Sequence, residues 1–312
     1  MKAATDRYGF IEWSAMRHLR REIDQLLRSA EQHLEKNQPQ SAFFILSAIM
    51  EEMTEALQFA DDSDGDISGS IGQALYLLTP LVESNDDESL RKEILAYCFS
   101  ILDKKIYQGW DWHTSILELA ADMVKTEKEV NQILVFLDEK KDSTYEEESQ
   151  QKIKYQLLHK LKREAEADRY LQKHINNPYL RRIAILKAMD HKNYAKAQEL
   201  AQAGVAHDAE NKPGLAKEWQ DFLLEIAQAQ GNTKMIIEYA RLLLIHSFRD
   251  QQDYQQILKE QIPAEEWKPF LEAVIQEIAT KNRWPNYELI AQIFIKEEWW
   301  DRLMQMVRNN PS

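Results

Sequence analysis

One cysteine, Cys98, stands in 312 residues. A single thiol excludes an intrachain disulfide and any multi-cysteine metal site, so the chain suits a reducing cytosol and a cytoplasmic location is expected. Eight glycines and eight prolines are too few for a sheet-and-turn protein, in which such punctuation recurs every few residues. No apolar run approaches the roughly 18 residues of a membrane span. The longest candidate, AFFILSAIM at 42–50, runs straight into charged residues and reads as a buried helix face. The first thirteen residues contain no apolar segment of signal-peptide type.

Signatures of chemistry are missing too. There is no GxGxxG and no GxxxxGK to cradle a phosphate, and no HExxH. None of the eight histidines has a Glu three residues before it, which excludes the Glu-x-x-His ligand pair of di-iron bundles. His207 and Asp208 are adjacent, but a metal-dependent phosphohydrolase needs further, separated ligands. Cys98 lies among apolar neighbours in EILAYCFSIL, the setting of an inert core thiol rather than a nucleophile. The expectation is a protein that is not an enzyme and holds no cofactor and no metal.

The stretch DDSDGDISGSIG at 61–72 invites comparison with a calcium loop. An EF-hand needs oxygen ligands at its first, third and fifth positions, glycine at the sixth and glutamate at the twelfth. Counting from Asp62, the ligands fit but Ile67 takes the glycine place and Gln73 the twelfth. Counting from Asp64, the twelfth residue is Leu75. Neither register closes the sphere. The stretch reads as a polar turn that ends one helix and caps the next near Ser68.

What is abundant is Leu, Ala, Glu, Gln and Lys, all good helix formers. Apolar residues recur at helical spacing and predict helices at about 14–36, 43–57, 68–83, 87–106, 113–124, 127–140, 145–163, 165–175, 178–190, 193–208, 213–230, 232–248, 251–261, 264–281, 286–296 and 298–308. The fold class is all-α. Short turns join the helices, and three stretches align: NQPQSAFFILSAI from 37, KNYAKAQELAQAG from 192 and GNTKMIIEYARLL from 231. Each puts a contact residue after a polar turn (Ala42, Ala197, Ile236) and another four later (Leu46, Ala201, Ala240), on one helix face. Trp219, Phe222, Leu223 and Ile226 form the inner stripe of the helix that precedes Gly231. Antiparallel helix pairs stacked as a degenerate tetratricopeptide-like α-solenoid are expected, with an N-terminal repeat region at 1–142 and a C-terminal one at 143–312 forming one continuous superhelix. Most of the tryptophans (Trp13, Trp110, Trp112, Trp267, Trp284, Trp299 and Trp300) sit beside turns or at helix starts, where they seal joints between repeats.

Net charge is −13, yet residues 152–196 hold twelve Lys or Arg against four carboxylates. The candidate partner-binding residues of this basic band are Lys152, Lys154, Lys160, Lys162, Arg163, Arg181 and Arg182. The acidic remainder of the chain repels polyanions, and too few aromatics interleave for base stacking, so nucleic acid is disfavoured as a partner.

YGFIEW (8–13), ADDSDGDI (60–67), NPYLRR (177–182), DHKNYAKAQELAQAGV (190–205) and KPGLAKEWQDFLLEIAQAQGN (212–232) together resemble the helical region that follows the zinc finger in bacterial SWIM zinc-finger proteins. The resemblance covers most of the chain and rests on soft helical motifs. It implies that the aspartate-rich turn is a helix connector. The finger itself needs three thiolates and a histidine, which one cysteine cannot supply, so no zinc site carries over. Either the chain is the helical part of a longer protein or it is a relative without the finger. The expected function is a non-catalytic helical scaffold that binds a protein partner or another domain of a longer chain. The alternative is a nucleic-acid-associated module that uses the 152–196 band.

Overall fold

The computed structural model describes residue 11 and residues 13–83, 87–107, 110–137, 143–246, 253–281 and 285–309. Most of YGFIEW, Trp284, the predicted helix ends at 138–140, 247–248 and 251–252, and the expected boundary at 142 lie outside the described residues. Among those residues all regular structure is helical, with one isolated parallel bridge between Ile11 and Ala60.

The chain divides into two compact units, Met1–Tyr170 and Leu171–Ser312. The first holds α1 (Trp13–Glu35), α2 (Pro39–Leu57), α3 (Asp66–Glu83), α4 (Glu88–Asp103), α5 (Asp111–Met123), α6 (Glu127–Leu137) and α7 (Thr144–Lys160). The division falls inside α8 (Glu164–Lys173). The second unit holds α9 (Pro178–Asp190), α10 (Tyr194–Asp208), α11 (Pro213–Ala229), α12 (Thr233–His246), α13 (Tyr254–Gln261), α14 (Ala264–Lys281), α15 (Tyr287–Lys296) and α16 (Trp300–Asn309).

Local chemistry starts and stops these helices. Asp87, Ser143, Asn177, Asn193, Asp253 and Asn286 stand at N-caps, and each side chain accepts from backbone N–H groups of the first turn. Pro39, Pro178 and Pro213 take first-turn positions where no N–H is missed. The ends repeat more strictly. After α1, α4, α7, α9, α11 and α15 one residue turns left-handed: Asn37, Lys105, Lys162, Lys192, Gly231 and Glu298. In each case the next residue donates back five positions, as Asn193 does to Ala188 (2.8 Å) and Asn232 to Ala227 (2.9 Å). This Schellman closure satisfies the last carbonyls, and after α1, α4, α9, α11 and α15 the following helix packs back against its predecessor. It is the most regular repeating feature of the chain, and glycine, which suits it best, occupies only one of the six places.

Stacking of the pairs is visible in what links alternate helices. In the first unit Arg20 of α1 pairs with Asp66 of α3, Arg91 of α4 with Glu129 of α6 (2.9 Å), and Lys152 of α7 with Glu118 of α5 (2.9 Å). In the second, one row runs from Arg182 of α9 to Glu218 of α11, then from Asp221 to Tyr254 of α13 (2.6 Å), then from Gln255 to Glu297 at the end of α15 (2.7 Å). The other row joins Arg241 of α12 to Glu277 of α14, and Glu272 to Arg302 of α16 (2.5 Å). Links that skip one helix are the mark of two layers within each unit. Exposed ion pairs contribute only about 0–1 kcal/mol each, so these links set register while apolar burial supplies the stability.

The repeat contacts expected from sequence, Ala42, Leu46, Ala197, Ala201, Ile236 and Ala240, are all buried. In the second unit α11 is shared by two apolar clusters. Trp219, Leu223 and Ile226 face Ile185, Ala197 and Ala201, while Leu224 and Ala227 face Ile236, Ala240 and Leu243. A helix apolar on two faces suits the interior of a stack.

Candidate interaction site

The basic residues divide between the units, and most of them brace neighbouring helices. In the first unit Lys152 holds Glu118. Lys160 donates to the carbonyls of Ala121 (3.1 Å) and Asp122 (2.5 Å), closing the C-terminus of α5; burial draws its pKa down. Arg163 reaches Glu127 in the first turn of α6. Lys154 lies over the ring of Tyr170, 5.9 Å from its centre. Lys162 is exposed and is itself a left-handed turn residue. In the second unit Arg182 makes a two-pronged contact with Glu218. Arg181 is only 2% exposed and donates to the Leu200 carbonyl (3.0 Å) and Asn176 Oδ1 (3.1 Å). Burial lowers its pKa, and the Asp208 charge opposes that shift.

Arg181 belongs to a polar cluster buried at the α10–α11 corner. Asp208, 3% exposed, accepts from Trp219 Nε1 (2.7 Å) and from Nδ1 of His207 (2.8 Å). Both Arg181 and Arg182 place their guanidinium carbons 5.9 Å from the Trp219 ring. Burial works to raise the Asp208 pKa, but the Trp219 and His207 hydrogen bonds and the Arg181 charge carry it below the usual carboxylate range. The His207–Asp208 pair thus anchors an indole. Among the described residues no group of three His, Cys, Asp or Glu is placed to hold a metal ion.

The aspartate-rich turn uses its oxygens internally. Asp62 accepts from the N–H groups of Ile67 (2.7 Å) and Ser68 (3.0 Å), capping α3, and Gly65 supplies the left-handed bend. Cys98 is fully buried, and desolvation pushes its thiol up to about 12.

A surface feature that sequence reading did not single out lies at the α15–α16 turn. A cavity of about 390 Å³ is lined by Lys268, Glu298, Trp299, Trp300, Asp301 and Arg302. Trp299 packs inward against Phe294, with Arg302 and Lys268 at 4.8 and 6.0 Å from its ring centre. Trp300 does not seal a joint; it is 54% exposed and opens α16. Leu303 and Met306 pack against the core, whereas Met304 and Val307 are exposed. The signal was the spacing 300, 304, 307, a second apolar stripe beside the one that faces the core.

No family model, curated protein or solved structure matches this chain.

Proposed function

We propose that this protein is a non-catalytic α-helical repeat scaffold that mediates protein–protein or interdomain contacts. The observation that carries the reading is the use of its charged groups: Arg182, Arg241, Glu218, Glu272, Glu277 and Glu297 tie alternate helices together rather than converging on one reaction centre. Stacked pairs held in register present long surfaces without needing a catalytic centre. The reading accords with the likeness to the helical region of SWIM zinc-finger proteins, and on it the partner is a protein segment or another domain. The single buried thiol suits the cytoplasm, and no described helix is long and apolar enough to cross a membrane.

Selection of a random-peptide display library on the immobilised chain tests this, run beside anisotropy titrations with labelled DNA and RNA. A convergent family of peptides is expected, with nucleic-acid affinity no better than ~10 μM at ~150 mM salt. Submicromolar nucleic-acid binding with a steep salt slope, lost on Lys154→Glu with Lys162→Glu, would overturn the scaffold in favour of a nucleic-acid module. Those two positions serve the test better than Arg181, whose replacement would disturb a buried contact.

A further inference from the structure

The geometry points to α16 as a self-association surface: two copies of this chain pair through the outer stripe Trp300, Met304 and Val307, antiparallel and related by a two-fold axis. The inference goes beyond the scaffold reading and stands independently of it.

Three observations lead there. First, α16 has no buried residue, although its inner side chains Leu303 and Met306 meet the core. Trp300, Met304 and Val307 are each more than half exposed, at 54%, 53% and 56%. Their spacing of four and three residues puts them on one helix face, the seam spacing of a two-helix contact. A surface helix ordinarily carries polar residues on the faces turned from the core, so this stripe departs from what solubility alone requires.

Second, charge selects the occupant. On the flank of the stripe away from the core stand Asp301 and Arg308, seven residues apart and thus on equivalent heptad places. Neither makes an ion pair among the described residues, whereas their neighbour Arg302 is engaged with Glu272 (2.5 Å). Place two copies of α16 antiparallel, with Trp300 of each against Val307 of the other and Met304 near the axis. Asp301 of each copy then falls within one helical turn, about 5.4 Å, of Arg308 of the second copy. One helix therefore carries both halves of the complement, as an isologous two-fold contact demands. A parallel two-fold arrangement would carry this flank to opposite sides of the interface, so Asp301 of one copy and Arg308 of the other would not meet.

Third, the patch is small. Three side chains and their rim fall at the low end of specific interfaces, which is the range of transient pairing, so a dissociation constant on the order of 10–100 μM is expected.

The test is sedimentation velocity of the full chain from ~2 to ~200 μM, which brackets that range. A reversible shift from monomer toward dimer is expected, and Met304→Glu, at an exposed position, should abolish it while leaving the melting temperature unchanged. Asp301→Arg alone and Arg308→Asp alone should each weaken the dimer about tenfold by setting like charges together. The double exchange should restore it, because both contacts are then reversed in sign. A chain that stays monomeric across the range overturns the proposal. So does a dimer indifferent to Met304→Glu, or a double exchange no better than the single ones.

Discussion

The indole nitrogen of Trp219 donates to Asp208 at 2.7 Å, with both side chains buried where α10 meets α11. One hydrogen bond of this kind fixes the register of two helices, because an indole offers a single donor and a buried donor must be met. Removing either partner therefore does more than open space. Asp208→Ala should cost about 1–3 kcal/mol by orphaning the N–H, and Trp219→Ala about 3–5 kcal/mol as a cavity. In a double-mutant cycle with Trp219→Phe, which deletes the donor, the two losses should couple by about 1 kcal/mol. Urea unfolding of the four proteins measures this; strict additivity would mean the bond is idle.

Gly204 lies under the same indole. A methyl group on it would sit 2.8 Å from Cδ1 and Cγ of Trp219 and 2.9 Å from Cδ of Arg181. Alanine ordinarily favours a helix over glycine by up to about 1 kcal/mol. Here overpacking should outweigh that gain, so Gly204→Ala is expected to destabilise by about 1–3 kcal/mol. A melting temperature equal to or above that of the natural chain would show that the corner gives way freely.

Lys192 holds a left-handed φ of 55° between α9 and α10. An L side chain pays about 1–2 kcal/mol there, part of which glycine returns through the entropy of the unfolded chain. Lys192→Gly should stabilise the second unit by roughly 0.5–1 kcal/mol, measured as a higher urea midpoint. The same change at Ala197, buried inside α10, should do the opposite.

Acid should act through Glu129. Its carboxylate accepts from Arg91 (2.9 Å) and from the N–H groups of Lys125 (2.8 Å) and Thr126 (2.9 Å), a capping box closed by Thr126 Oγ1. Burial works to raise its pKa, yet these donors hold it at about 2 against an ordinary 4.5. A folded-state pKa below the unfolded one means that the contribution is fully present above pH 4.5 and is lost as pH falls toward 2. Glu129→Gln should lower stability at neutral pH and flatten the acid limb of a stability profile. An unchanged limb would place the acid sensitivity elsewhere.

Much of the architecture was legible in the sequence, because helical periodicity, caps and scarce glycine are local properties. The predicted helices coincide with the observed ones to within a few residues where both are described, and Trp219, Ala197 and Ala201 were recognisable as contacts from spacing alone. The roles of the charged residues were not. Lys160 and Arg181 stand in the same basic run as exposed Lys162, yet one closes the end of α5 and the other reaches a carbonyl on α10. Those partners lie 38 and 19 residues away, so only packing decides which cation is spent inside the fold. The recurring turn escaped for a related reason. Its mark is a backbone angle, and five of its six places carry Asn, Lys or Glu rather than glycine. On α16, likewise, spacing predicted a helix at 298–308, but only its position beside the core showed that Leu303 and Met306 are used and that Trp300, Met304 and Val307 are left facing water. Local sequence determines which segments coil; the company each segment keeps determines which of its faces remains for others.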